Sequence, residues 1–194
     1  MVADKDALRP IHRVTYAIDA SDCIVDVGDD WAAFADENEG SDHLKPETVV
    51  GESLWRYIRG ATLVELYKAI FAQVRRSGEA VDFRFRCDSP GFQRRMRMRV
   101  EPLNQGLLGF LSETLSVTPR EAPLSAHAYD AGFGVLKRCS ICNLFELSDG
   151  DWTDAVTAVQ HDAVLDRQGR IQIVWTVCPH CRKELRAMAD RAAL

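Results

Sequence analysis

The residues with the clearest chemistry are four cysteines in two Cys-x-x-Cys pairs, Cys139-Ser140-Ile141-Cys142 and Cys178-Pro179-His180-Cys181. A Cys-x-x-Cys turn carries two sulfurs on one side of a tight knuckle. Thiolate sulfur is soft enough to bond Zn²⁺ strongly, and four such ligands complete a tetrahedron with no water in it. Two pairs this close in one chain predict a single structural metal ion, Zn²⁺, held by Cys139, Cys142, Cys178 and Cys181. The other two cysteines, Cys23 and Cys87, stand alone and read as small core hydrophobes. His180 lies inside a knuckle and is expected to face solvent rather than the metal. The competing chemistry is redox: Cys178 follows a predicted strand and precedes a predicted helix, Arg182–Arg191, where a helix dipole lowers a thiol pKa. That reading leaves the first pair without a role.

The elements around the cysteines must bring the two pairs together. Trp152, Ala155, Val156 and Val159 have the spacing of one helical face, with Asp149 or Asp151 as the cap. Arg167-Gln168-Gly169 predicts a turn between Ala163–Leu165 and Ile171–Val177, and the second of these runs delivers Cys178. Residues 135–194 thus read as a zinc-ribbon-like module with a helix and a hairpin. It has little apolar surface for its size, so metal supplies much of its stability, about 10–16 kcal/mol of apparent binding free energy in comparable small units.

Upstream the periodicity changes several times. Val14–Ile18 and Cys23–Val27 flank Asp19-Ala20-Ser21-Asp22 and predict a hairpin. Asp29 or Asp30 is placed to cap a short helix bearing Trp31 and Phe34, and Ser53–Arg59 predicts another. Thr62 and Glu65 have capping-box spacing ahead of Leu63, Leu66, Tyr67, Ile70, Phe71 and Val74, with Gly78 as the stop. Next, Val81, Phe83, Phe85 and Cys87 alternate with charged residues, as do Met96, Met98 and Val100, which predicts an antiparallel pair with one apolar and one arginine-rich face. Leu107–Leu115 is the last strand, after a turn at Asn104–Gly106. The predicted organisation is an arm over residues 1–12, a domain over 13–117, a Pro- and Gly-containing linker over 118–134, and the cysteine module over 135–194.

This order over 13–117 resembles a PAS domain. The Tyr16–Val27 hairpin, the Asp30–Ala35 segment, Val50-Gly51 leading into Trp55, and the helix running into Phe83–Phe85 carry the resemblance. It implies an α+β fold with a PAS-like five-stranded antiparallel sheet and helices on one face. Cys139-x-x-Cys142, Asp149-Gly150, Trp152 and Cys178-Pro179-x-Cys181 in turn resemble a short cysteine module that follows PAS domains in some bacterial signalling proteins. In those relatives the second pair is often preceded by Ser-His-Gly-Ile. This chain has Trp175-Thr176-Val177 before Cys178, so the four ligands carry over and any role of the absent His does not. Together the resemblances imply a signalling sensor or adaptor without catalysis, acting on a protein partner or as a homodimer. Sensing through the four thiolates and pure scaffolding are the alternatives.

Other residues are open to two readings. Trp31, Phe34, Trp55, Leu66, Ile70, Phe83, Phe85 and Met98 either line a small-molecule pocket or simply fill the core. The predicted long helix has no His to serve as an axial ligand, and neither lone cysteine sits in a flavin-reactive context, so haem and flavin are not expected. Arg84, Arg86, Arg95, Arg97 and Arg99 either meet an acidic partner or are solvated beside Asp82, Asp88 and Glu101. The net charge is −5, and residues 135–194 balance eight basic against eight acidic side chains. Phosphate-backbone binding calls for a positive surface, so nucleic acid is not the expected partner. The N-terminus lacks the basic and apolar pattern of an export signal, and no apolar run is of membrane-spanning length. The expected location is the cytoplasm. No motif for nucleophilic catalysis or phosphate binding is present.

Overall fold

The computed structural model describes residues 13–37, 42–120, 126–128, 135–161 and 171–190. Strands β1 (Arg13–Ile18) and β2 (Ile24–Val27) form the expected hairpin. Asp19 Oδ1 accepts the backbone N–H groups of Ser21 and Cys23, which closes the turn, and Asp22 takes a left-handed conformation at φ 61°. Helices α1 (Asp30–Glu37), α2 (Pro46–Val49) and α3 (Ala61–Ser77) follow. Then come β3 (Val81–Arg86), β4 (Phe92–Pro102) and β5 (Leu108–Pro119), and the sheet is antiparallel in the order β2-β1-β5-β4-β3. This is the α+β architecture with a five-stranded antiparallel sheet that the sequence predicts.

Three local expectations change. The predicted helix over Ser53–Arg59 is a single 3₁₀ turn, Leu54–Arg56, while α2 forms just before it at Pro46, where proline is tolerated at a helix start. The capping box of Thr62 and Glu65 does not form, because the N-cap lies two residues earlier, at Gly60, with φ 94°. At the other end Gly78 ends the helix as expected, at φ 71° with its N–H on the Val74 carbonyl.

The apolar stripe of α3 forms the centre of the core. Leu63, Leu66, Ile70, Phe71 and Val74 are buried against Ile18, Ile24, Val100, Leu108 and Phe110. Phe71 stacks on Trp55 and Tyr67 and meets Phe110 edge-on, arrangements that favour the ring quadrupoles. The opposite sheet face carries the arginines, and most have acids beside them. Asp82 pairs with Arg97 at 2.8 Å and Arg99 at 2.9 Å, Glu101 with Arg99 at 2.9 Å, and Asp88 with Arg86. The exposed pairs of Asp82 and Glu101 add little stability and relieve the repulsion between neighbouring guanidinium groups, whereas the Asp88–Arg86 pair is largely buried.

A second sheet is formed among the described residues that follow: β6 (Ala126–Ala128), β7 (Leu136–Cys139), β8 (Phe145–Glu146), β9 (Trp152–Thr153) and β10 (Ile171–Thr176), in the order β6-β10-β7-β8-β9. Helices α4 (Ala155–His161) and α5 (Pro179–Asp190) complete it. Part of the predicted linker over 118–134 is therefore sheet: β5 extends to Pro119, and β6 pairs in parallel with β10. Trp152 lies in β9 rather than in the helix, and the cap of α4 is Asp154, whose Oδ1 accepts the N–H groups of Val156 and Thr157. The predicted turn at Arg167-Gln168-Gly169 and the run Ala163–Leu165 lie outside the described residues. Among these residues β10 pairs in parallel with β7 and β6.

Candidate metal centre

Parallel pairing of β7 and β10 brings the cysteines together. The register sets Thr176 opposite Cys139, so both knuckles emerge at the same end of the sheet. The first turns tightly: the Asn143 N–H reaches the Cys139 carbonyl at 3.0 Å and the Cys139 N–H reaches the Leu144 carbonyl at 2.8 Å. Asn143 adopts φ 58°, a left-handed conformation that asparagine tolerates better than most residues. Ser140 N–H to the Thr176 carbonyl, at 2.8 Å, ties this knuckle to the strand that leads into the second. There Cys178 caps α5: its Sγ accepts the Cys181 N–H at 3.4 Å and its carbonyl accepts the Arg182 N–H at 2.9 Å.

All four Sγ atoms lie within 4.8 Å of one another, and Cys142 Sγ is 3.8 Å from Cys178 Sγ. A tetrahedral Zn²⁺ site with Zn–S bonds of about 2.3 Å needs sulfurs about 3.8 Å apart. The Cys142–Cys178 separation matches that value and the others lie within about an ångström of it, so the four cysteines together could hold a metal ion. Backbone amides already serve the sulfurs. Cys139 Sγ accepts from Ile141 and Cys178, each at 3.4 Å, which offsets negative charge gathering at the site.

Cys139, Cys178 and Cys181 are buried and Cys142 is half-buried. Crowding divides their acidities. Hydrogen bonds from the Cys142 and Cys181 thiols hold Cys139 far below the ordinary thiol range. The hydrogen bond to Cys139 pushes Cys142 up to about 12, and the hydrogen bonds to Cys139 and Cys142 push Cys181 higher still. Four thiolates in this space repel one another, and a divalent cation is what allows all of them to ionise. His180 is 79% exposed and faces Glu184 at 3.4 Å, outside the sulfur cluster as expected.

The sulfur site is built into the first sheet's core. Ile141, Val177 and Leu185 belong to the same buried cluster as Leu63, Ile70 and Phe83, and α5 packs on α3. The Arg86 N–H donates to the Ile141 carbonyl at 2.7 Å, and Asn143 Nδ2 donates to the Arg86 carbonyl at 3.2 Å. These contacts of Ile141 and Asn143 were not legible in the sequence. The asparagine directly after the first Cys-x-x-Cys pair, a residue type that tolerates the left-handed conformation, is a further local signal of the tight knuckle.

The eight aromatic and aliphatic candidates have a different setting. Leu66, Ile70 and Phe83 are buried, and Trp31, Trp55, Phe85 and Met98 pack against them in the core; Phe34 lies half-buried on α1. Of these, Phe83 lines a small groove of about 250 Å³ between β3 and α5, with Ile141, Leu185 and Met188. A larger groove of about 650 Å³ lies on the outer side of α5, between Trp152, Lys137 and Arg186, and none of the eight lines it. Cys23 and Cys87 are half-buried, and burial raises the Cys87 thiol pKa. No helix among the described residues is long and apolar enough to cross a membrane.

No protein-family model matches the chain. No curated protein matches it either. Among solved structures, a domain of an HTR-like protein from Haloarcula marismortui is similar over 54% of this chain and 98% of that one, at 16% identity and a TM-score of 0.38.

Proposed function

We propose that this protein is a non-enzymatic signalling sensor or adaptor whose PAS-like domain is held in shape by a structural Zn²⁺ at Cys139, Cys142, Cys178 and Cys181. The observation that carries this reading is the position of the four thiols: within 4.8 Å of one another, they lie in the same core that α3 shares with the PAS-like sheet. A metal there cross-links β7, β10 and α5 next to the edge strand β3, so it stabilises the sheet edge as well as its own module. Signal enters by a partner or small ligand on the PAS-like domain and leaves by changed association with another protein. Zn²⁺ suits four thiolates at tetrahedral separations because it imposes no other geometry.

The test is metal analysis of the reduced full-length chain, followed by chelation. One equivalent of zinc per chain is expected, and its removal should lower the thermal midpoint and loosen α3 as well as α5 in hydrogen exchange. Less than about a tenth of an equivalent would overturn the metal reading, given the tight binding expected of four thiolates. One observation favours a second reading, in which the thiolates themselves sense oxidant: Cys142 is the cysteine of the four that is not fully buried. Zinc release by mild peroxide, with oxidation found first at Cys142 by peptide mass analysis, would support it; retention of zinc at low peroxide doses would exclude it.

A further inference from the structure

Where the two sheets meet, four arginines converge on one carboxylate. Arg86 at the end of β3, Arg94 on β4, Arg120 just after β5 and Arg138 on β7 surround Asp88 or border its cluster. The Asp88 side chain is 2% exposed and pairs with Arg86 and with Arg120, the latter at 2.7 Å. Its oxygens also accept the Arg86 Nε–H at 3.3 Å and the Arg94 backbone N–H at 3.2 Å. Four donors use up what a carboxylate can accept, so Asp88 has nothing left for the other guanidinium groups.

Those groups are under-served. Arg94 is 5% exposed, and its side chain donates one long bond, 3.4 Å, to the Cys87 carbonyl. The Arg120 side chain is 9% exposed, and its Nε is buried without an acceptor, as is the Nε of Arg138. Arg138 is held in place by rings, its guanidinium carbon 5.5 Å from the Phe145 centroid and 5.1 Å from that of Trp175. Phe145 and Trp175 are its cross-strand neighbours on β8 and β10, so one row of side chains fixes the fork's orientation. Among the described residues the cluster sets four positive charges against one negative, with the Nε–H groups of Arg120 and Arg138 aimed at no acceptor, an arrangement that an anion would relieve.

We propose that this seam binds an oxyanion of the phosphate class, with Arg94, Arg120 and Arg138 as its donors and Asp88 fixing the arginines around it. A phosphate group carries about 1.5 to 2 negative charges near neutrality and three acceptor oxygens. That matches the excess charge better than a single carboxylate does, and guanidinium forks meet its oxygens in pairs. The assignment is independent of the metal reading. The anion joins the last strands of the first sheet to β7, the strand that ends in Cys139.

The experiment is titration of the full-length, metal-loaded protein with inorganic phosphate at ionic strength matched by chloride, followed by calorimetry and ³¹P line shape. Glycerol phosphate in a parallel arm separates a free-phosphate site from one for a phosphate ester. Saturable one-to-one binding tighter than about 1 mM is expected. Arg120→Gln and Arg94→Gln should each weaken it by about tenfold or more, as loss of a charge-assisted bond does. Arg84→Gln, on the exposed face, should leave it unchanged. Absence of saturable binding by the unaltered chain overturns the proposal, as does equal weakening by Arg84→Gln. Should the buried variants fail to fold, phosphate binding to the unaltered chain, set against chloride, decides the matter.

Discussion

Each sulfur of the cluster has its own structural role. Cys139 ends a strand and accepts two amide N–H groups, whereas Cys178 caps a helix. Replacing Cys178 with serine therefore removes a soft ligand and weakens the cap. Cys178→Ser is expected to lose most bound metal and more than about 4 kcal/mol of stability, the range reserved for lost metal sites, in metal assays and urea unfolding. Cys23→Ser should retain the metal, since Cys23 lies in the distant hairpin at an isolated bridge to Ser53. The phenols of Tyr16 and Tyr67 add a dependence on pH. Burial pushes both well above the usual tyrosine range. A group whose folded pKa is raised contributes fully below its unfolded value, so this part of the stability is present below about pH 10 and is lost as pH rises further. Stability measured from pH 8 to 11 should fall, and it should fall less in Tyr16→Phe.

At the scale of elements, α3 is set by its two ends and its stripe. Gly78 holds φ 71° with open space where a Cβ would go, so Gly78→Ala is disfavoured by conformation and not by a clash. About 1–2 kcal/mol is expected from chemical denaturation, the cost of a left-handed residue with a Cβ. Gly60 at the other end, φ 94°, lies where a Cβ would come 3.6 Å from the Trp175 carbonyl oxygen of β10. That distance is ordinary van der Waals contact, so the positive φ, and not a clash, is what favours glycine as the N-cap here. Ile141, 4% exposed inside the first knuckle, contacts the PAS-like core. Ile141→Ala should cost about 2–5 kcal/mol, as buried large-to-small changes do, and should lower the protection of α3 amides in hydrogen exchange as well as metal affinity.

At the scale of the molecule, the shared core makes the cysteine module part of the PAS-like fold rather than a tethered appendage. Trp55 stacks on Phe71 within that core and reports on it by fluorescence. Heating or urea should therefore release metal and shift Trp fluorescence in one coincident transition. Two separate transitions, with metal lost before the fluorescence change, would show that the modules unfold independently.

The residue types and their spacing were enough to single out the four cysteines that the fold brings within 4.8 Å of one another, because a Cys-x-x-Cys knuckle is a local structure whose geometry is set within four residues. The hairpin at Asp19–Asp22, the apolar stripe from Leu63 to Val74 and the alternation from Val81 to Val100 were equally local, and so were readable. What depended on distant partners was not. The parallel pairing of β7 with β10, the strand within the 118–134 segment, the placing of Trp152 in β9 and the burial of Ile141 beneath β3 all follow from which surfaces meet. Four arginines scattered over 53 positions, Arg86 to Arg138, likewise have nothing in the sequence that links them to one another. Only the meeting of two sheets around Asp88 turns them into one buried cluster, because burial and charge balance are properties of neighbours in space and not of neighbours in the chain.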